Sequence, residues 1–308
     1  MYTATPHETS GDPPGGRIKR VLITGANKGI GLATARAVLR EHADVQVLLG
    51  SRDPDRGRSA AAALCEQDPV WRDRLDVLQI DVCDAASVAA AADAVGESGR
   101  PSLFGLVNNA GIGLGSSDMA AVIDVNALGV KRVCDAFLPL LGEGGRVVNV
   151  SSAAGPRFVS QCTPARQAFF QDPNVSWSDI KSLLAQAVAN ADDAQGFAAL
   201  GLGEINAYGL SKACTSLYTL LLAREHPHLC INACTPGYIE TDLTRPVAER
   251  RRVAPAELGM KPPDEGTRAT LFLLFGKPHG SGHYYGSDAL RSPLDRYRAP
   301  GSPEYLGD

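Results

Sequence analysis

Short apolar runs and longer amphipathic stretches alternate along most of this chain. The apolar runs, each bounded by turn residues, predict strands at 20–24 (RVLIT), 45–50 (VQVLLG), 75–80 (LDVLQI), 103–108 (LFGLVN), 145–150 (GRVVNV), 229–234 (LCINAC) and 282–286 (GHYYG). Helical spacing of apolar positions predicts helices over 30–41, 54–67, 85–95, 118–141, 178–191, 206–225 and 264–275. Strands that alternate with helices indicate βαβ units, whose right-handed crossovers place helices on both faces of a sheet. The expected fold is therefore α/β: a single Rossmann-type, doubly wound domain on a mostly parallel sheet of seven strands.

The rhythm breaks between Ser152 and Tyr208, where Pro, Gly and Asp turns surround one amphipathic helix and no strand pattern appears. Segments this long are uncommon in compact domains and usually carry function, so 153–207 reads as an insertion forming a substrate-side wall or lid. Residues 1–17 are polar and rich in Pro and Gly, which predicts a disordered tail that is neither signal peptide nor anchor. The catalytic domain is expected over 18–286. Residues 287–308 form a polar, turn-rich C-terminal extension with no readable role.

Composition narrows the function classes. A chain of 308 residues that is 44% hydrophobic can bury one large core. Its net charge of -4 gives no electrostatic footprint for nucleic acid or an anionic membrane. No apolar stretch approaches the roughly 20 residues of a membrane span. The seven cysteines (65, 83, 134, 162, 214, 230 and 234) lack close CxxC pairs and read as ordinary buried thiols. Clustered metal ligands are absent from the pattern, so no metal is expected, and a cytoplasmic protein is.

The first candidate chemistry is TGANKGIG, residues 24–31, between the first strand and the first helix. Glycines there let the backbone turn tightly and approach a pyrophosphate seated at the helix N-terminus. The spacing is not the commoner G-x-G-x-x-G. After the second strand the chain reads Leu49-Gly50-Ser51-Arg52, with no acid before Asp53. An acid at this point holds a ribose 2′-hydroxyl, whereas a basic residue accommodates the 2′-phosphate of NADP. Arg52 can fork around that phosphate, Ser51 can add a hydroxyl donor, and Lys28 supplies a second cation. The alternative is that Arg52 only pairs with Asp53 or Asp55 on the surface. NADPH/NADP+ is the expected cofactor.

A second constellation lies at the other end of the chain. Tyr208 and Lys212 stand at i and i+4, on one helix face. A lysine cation favours phenolate and brings a tyrosine toward a working pKa. Ser151-Ser152 follows the fifth strand, and strand carboxyl ends face the ligand crevice of an α/β sheet. Successive strand residues point to opposite faces, so Ser151 and Ser152 cannot both face the crevice.

Taken in order, TGANKGIG, Asp81-Val82, NNAG (108–111), Asn126, Ser152, YGLSK and Pro236-Gly237 resemble the short-chain dehydrogenase/reductase family, over about 18–286. The lysine in the glycine turn, Arg52 and the long 153–207 segment resemble its NADPH-dependent carbonyl-reductase branch. The resemblance implies a catalytic set of Asn126, Ser152, Tyr208 and Lys212. In that set Tyr208 protonates the carbonyl oxygen, Ser152 polarises it, Lys212 binds ribose hydroxyls and tunes Tyr208, and Asn126 holds a water leading to Lys212. It implies cofactor contacts from Gly25, Asn27, Lys28, Gly29, Ile30, Gly31, Ser51 and Arg52. Further cofactor contacts would come from Asp81 and Val82 at the adenine, Asn108, Ala110 and Gly111 after strand four, and Pro236, Gly237, Ile239 and Thr241 over the nicotinamide, besides Tyr208 and Lys212. Substrate contacts would come from Ser152, Tyr208 and the aromatic Tyr238. The implied partner is a small-molecule carbonyl compound, and the implied state is a monomer. Trp177 and Phe197 read equally well as pocket or as anchors of the insertion, and Phe169-Phe170 as core. A silent dinucleotide-binding sensor or scaffold typically lacks the tyrosine or lysine present here. The extended epimerase branch has T-G-x-x-G-x-x-G, which TGANKGIG does not match. An alcohol dehydrogenase working in the oxidative direction is the alternative within the same chemistry.

Overall fold

Each apolar run pairs with a parallel neighbour, because the amphipathic stretch that follows it is long enough to cross over the sheet. In a computed structural model describing residues 18–99, 102–113 and 118–307, the strands are β1 Lys19–Ile23, β2 Val45–Ser51, β3 Leu75–Gln79, β4 Leu103–Asn108, β5 Leu141–Val150, β6 Cys230–Cys234, β7 Tyr284–Tyr285 and β8 Arg291–Ser292. The tail expected over 1–17 lies outside the described residues. The sheet order is β3-β2-β1-β4-β5-β6-β7-β8, parallel except for the antiparallel β7–β8 pair. Strand order reverses between β1 and β4, which opens a crevice beyond their carboxyl ends.

Helices α1 Gly29–Glu41, α2 Pro54–Gln67 and α12 Arg268–Phe275 cover one face, around Val21, Val47, Leu49, Val107 and Leu274. Helices α3 Ala85–Gly96, α4 Met119–Ile123, α5 Gly129–Phe137 and α10 Ala207–Glu225 cover the other, around Leu22, Leu106, Val147 and Leu217. A further helix, α11 Arg245–Arg251, follows the loop after β6. β2 is buried along its whole length, the burial expected of a parallel strand covered on both faces.

Three expectations are corrected. The sheet has eight strands, not seven, because the C-terminal extension contributes β8. Arg298 holds it there: its side chain is 6% exposed, pairs with Asp288, and donates to Ser292 Oγ (2.9 Å) and to the Ser302 carbonyl (2.6 Å). The stretch 118–141 is not one helix. A π-helical turn over Asp124–Leu128 separates α4 from α5, and Leu141 already belongs to β5. Finally, the insertion holds four helices rather than one: α6 Ala154–Val159, α7 Pro164–Phe169, α8 Trp177–Ala189 and α9 Ala194–Ala199. Phe158, Phe170, Ile180, Leu184 and Phe197 merge into the core beneath α4, α5 and α10, so this segment is a packed layer.

The glycine turn joins the two halves of the sheet. Gly25 adopts φ +62°, a left-handed conformation that costs a side-chain-bearing residue about 1–2 kcal/mol. Gly31 has an ordinary φ but no room: a Cβ would meet Asn109 Nδ2 at 2.5 Å and the Gly25 carbonyl oxygen at 2.6 Å. Gly31→Ala is expected to destabilise the protein by roughly 1–3 kcal/mol through overpacking against backbone. Gly142→Ala, whose Cβ would meet nothing closer than 3.6 Å, should cost much less. Equal denaturation midpoints for the two variants would rule out this constraint.

Candidate functional site

The crevice begins at the N-terminus of α1. Lys28 occupies the capping position without a side-chain bond to the helix start, and no acid lies in the first turn, so the amide donors of that turn stay unclaimed. By contrast, Asp53, Asp84 and Asn206 cap α2, α3 and α10. An open, positively polarised helix start beside close-packed glycines is a fit for a pyrophosphate.

The cations expected around it differ in state. Lys28 pairs with Asp242 at 2.7 Å, both side chains more than half exposed. Arg52 is exposed and has no ion pair among the described residues; Asp53 pairs with Arg56 and Asp55 with Arg58, so the alternative surface pairing of Arg52 is not formed. Backbone amides of the α2 start, Arg56 foremost, hold the Asp53 carboxyl below its ordinary pKa. The buried Ser51 hydroxyl donates to the Asp53 carbonyl (2.7 Å), at the start of α2.

Beyond β3 and β4 the chain lays down the middle of the crevice. Asp81 Oδ1 accepts from the Cys83 amide at 3.0 Å, shaping the turn that carries Val82. Val82, Asn108 and Ala110 line one small cavity with Thr24 and Val130. Asn108 is buried, its Nδ2 donating to Asn149 Oδ1 (2.8 Å), while its Oδ1 has no partner. Two residues that sequence reasoning passed over hold this region together. Thr24 Oγ1 accepts from the amides of Asn109 (3.0 Å) and Ala110 (3.1 Å), and Asn109 Nδ2 donates to the carbonyls of Thr24 (2.9 Å) and Gly25 (3.2 Å). Their signal was position alone: Thr24 opens the glycine motif and Asn109 is the second asparagine of NNAG.

The loop after β6 closes the crevice from above. A Cβ on Gly29 would lie 3.4 Å from the Thr241 methyl group. Ile239 is buried, and a Cβ on Gly266 would lie 3.0 Å from it and 3.4 Å from Ile30. Pro236 is partly buried, Gly237 adopts φ +95°, and the Tyr238 side chain stays 38% exposed. Asn27 is partly buried in the glycine turn.

At the inner end, Asn126, Ser152, Tyr208 and Lys212 come together from three parts of the chain. Asn126 sits in the π-helical turn, fully buried. Its amide closes a two-way bond with the Ile112 backbone (2.9 Å each way), and Nδ2 donates to Ser211 Oγ at 3.0 Å. Lys212, on α10, is buried and donates to the Val150 carbonyl at 2.7 Å. Burial lowers its ammonium pKa to about 8. A Cβ on Gly111 would lie 3.5 Å from Lys212 Nζ and 3.4 Å from Asn126 Oδ1, which gathers these groups at the end of β4.

The two serines separate as strand alternation requires. Ser151 is buried against α10, bonded to the Lys212 carbonyl and to Ser216 Oγ (2.9 Å each). Ser152 turns to the other side and accepts from the Ala154 amide at 3.1 Å. Tyr208 is partly buried, and its pKa is raised by burial, with the Ser152 side chain opposing. Lys212 Nζ stands 5.9 Å from the phenol ring centre and donates to the Val150 carbonyl. Phe197 and Phe170 are core, and Trp177 packs edge-on against Tyr218 with ring centres 5.3 Å apart, so none of the three opens onto this site. Among the described residues no group of three or more His, Cys, Asp or Glu could hold a metal ion, and no helix is long and apolar enough to cross a membrane.

Known proteins are similar to this chain in sequence and in fold. The family model for short chain dehydrogenase matches residues 19–164. Carbonyl reductase (NADPH) 1 of Mus musculus is 32% identical over 275 residues, covering 85% of this chain and 92% of its own. Its Homo sapiens counterpart is 31% identical over 274 residues, covering 85% and 92%. Among solved structures, menthone neomenthol reductase from Mentha piperita aligns with a TM-score of 0.70 at 26% identity, covering 87% of this chain and 98% of that one. NADPH-bound carbonyl reductase from chicken fatty liver aligns with a TM-score of 0.62 at 24% identity, covering 89% and 98%. With its glycine turn, its Tyr208–Lys212 pair and relatives above 30% identity along most of its length, the chain belongs to the short-chain dehydrogenase family.

Proposed function

We propose that this protein is an NADPH-dependent oxidoreductase that reduces a ketone or aldehyde carbonyl to the alcohol, with Tyr208 as general acid. The observation that carries the reading is the convergence of a proton-bearing phenol, the Ser152 hydroxyl and the buried Lys212 ammonium at one end of an open helix-start crevice. The NADPH carbonyl reductases among its relatives support the same chemistry.

When bound, NADPH supplies the hydride. The chain's own residues bind, orient and move the proton. The α1 amides and Arg52 would hold the phosphates, and Lys28 would exchange Asp242 for the 2′-phosphate. Ser152 and Tyr208 would both donate to the substrate oxygen, whose negative charge grows as reduction proceeds. Burial moves the Tyr208 pKa further upward, which favours the protonated phenol that reduction requires; oxidation would need the phenolate. Lys212, charged below about pH 8, would stabilise the phenolate left behind. Asn126 would position the polar path behind Lys212. The α8 helix lies against α4 and α10, covering a face that would otherwise be open to a second copy, which supports a monomer.

Tyr208→Phe is expected to lower kcat for ketone reduction by roughly 10²–10⁴-fold while NADPH affinity stays near that of the wild type. Near-normal turnover would remove Tyr208 from the mechanism. Replacing Lys28 and Arg52 together by Ala should weaken NADPH by roughly tenfold or more, since a charged hydrogen bond contributes about 1.5–3 kcal/mol, and leave NADH little changed. Equal losses for both cofactors, measured by fluorescence titration, would dissolve the phosphate clamp.

Lys212 gives a pH signature apart from activity. Its folded pKa, about 8, lies below the unfolded value of 10.5. Between those values the unfolded chain binds more protons, so stability gains as pH rises through the window. Relative to Lys212→Met, the wild type should gain up to about 3 kcal/mol of unfolding free energy from pH 8 to 10.5. A difference that does not change with pH would mean that the ammonium is not buried at this cost.

A further inference from the structure

The segment 287–307 runs from the loop after β6 to the helix that follows Ser152. At its start, a Cβ on Gly237 would meet Ser287 Cβ at 3.2 Å, so it leaves from beneath the loop that carries Tyr238. Ten residues on, the Arg157 guanidinium lies over the Tyr297 ring, 4.1 Å from its centre. Arg157 belongs to α6, the helix entered directly after Ser152. The same helix packs its Gly155 against α10 at the catalytic lysine, where a Cβ would meet the Ala213 amide and the Lys212 carbonyl carbon at 3.1 Å each. Tyr284, buried in β7 between these parts, has its phenol pushed up by burial, with Tyr297 and Tyr208 both adding to the effect.

Nothing in this segment resembles a loose tail. Asp288 and Arg298 pair with side chains 13% and 6% exposed, and the Gly301 amide donates to Asp288 Oδ2 at 3.0 Å. This clasp fixes the residue next to Tyr297, yet leaves the Tyr297 ring 42% exposed. Other large exposed hydrophobic residues adjoin site positions along the chain: Ile112 after Gly111, Ile205 before Tyr208 and Tyr238 after Gly237. Arg157 is exposed and has no ion pair among the described residues, so the Tyr297 ring is the partner of its guanidinium.

We infer that the C-terminal segment is the outer wall of the substrate cleft, with Tyr297, held by Arg157 and the Asp288–Arg298 clasp, packing against an aromatic or bulky apolar substituent of the carbonyl substrate. The inference rests on the reading of Ser152, Tyr208 and Lys212 as the reacting centre. It makes Tyr297 a specificity residue supplied by a part of the chain beyond the motif-bearing region. The substrates it favours are neutral or anionic, because Arg157 stands beside the ring.

The test uses the full chain saturated with NADP+ and a graded series of acetone, cyclohexanone, acetophenone and benzophenone. Calorimetry gives affinities, and turnover with NADPH gives kcat and KM on the same ketones. Tyr297→Ala should lower the ratio of aromatic to small-ketone affinity by roughly tenfold, as expected for loss of a ring contact, and should act on KM more than on kcat. Tyr297→Phe should restore the ratio. A ratio unchanged in Tyr297→Ala, a uniform loss across the series, or a wild type that binds none of these ketones would each overturn the wall. A wild type that binds them with the expected ratio but turns none over would overturn the carbonyl-reductase reading and leave the wall standing.

Discussion

Placing an ammonium among strand ends is unfavourable, and the inner half of the molecule is arranged around doing so at Lys212. The charge is buried on α10 with one carbonyl, that of Val150, to receive it. Its backbone is pinned by Ser151 from the end of β5, and α6 can pack against the same turn only because residue 155 is glycine. A Cβ at residue 111 would lie in ordinary contact with the ammonium, 3.5 Å away. The π-helical turn brings Asn126 to the same point, where it locks the Ile112 backbone and reaches Ser211, one residue before the lysine. Lowering the ammonium toward pH 8 is the cost of this placement, and in the proposed mechanism the charge would answer a forming phenolate.

Much of this was legible because the motifs fall where strands end. The seven parallel strands and their helices follow from runs bounded by turn residues, and the separation of Ser151 from Ser152 follows from strand alternation alone. The losses have equally specific causes. A π-helical turn changes hydrogen bonding without changing the apolar spacing, so 118–141 reads as one helix. The short helices α6, α7 and α9 offer too few turns for periodicity to register. β8 is a two-residue strand with polar side chains, and it is held by Arg298, which no local pattern connects to Asp288.

Hydroxyl directions and ion pairs form a second class of loss. The Ser51 hydroxyl, where a phosphate donor was expected, is directed at the Asp53 carbonyl by the turn into α2. Lys28 meets Asp242, whose sequence separation of 214 residues puts it beyond any motif. Such pairings depend on which loop lands above which turn, and only the closed sheet decides that.

The Lys28–Asp242 pair also bears on how the crevice selects its cofactor. Asp242 is shared with Arg245, which in turn reaches Glu240, so the loop above the glycine turn carries both signs of charge. An exposed pair of this kind contributes about 0–1 kcal/mol, because water and salt screen it. A phosphate bearing up to two negative charges, beside the open start of α1, is a stronger partner for the same ammonium. The proposed exchange would therefore require little, and Asp242 would keep Arg245 as a partner. The acid is thus a holding partner: it keeps the lysine near the turn and the loop near the lysine, without committing the charge that a 2′-phosphate would take.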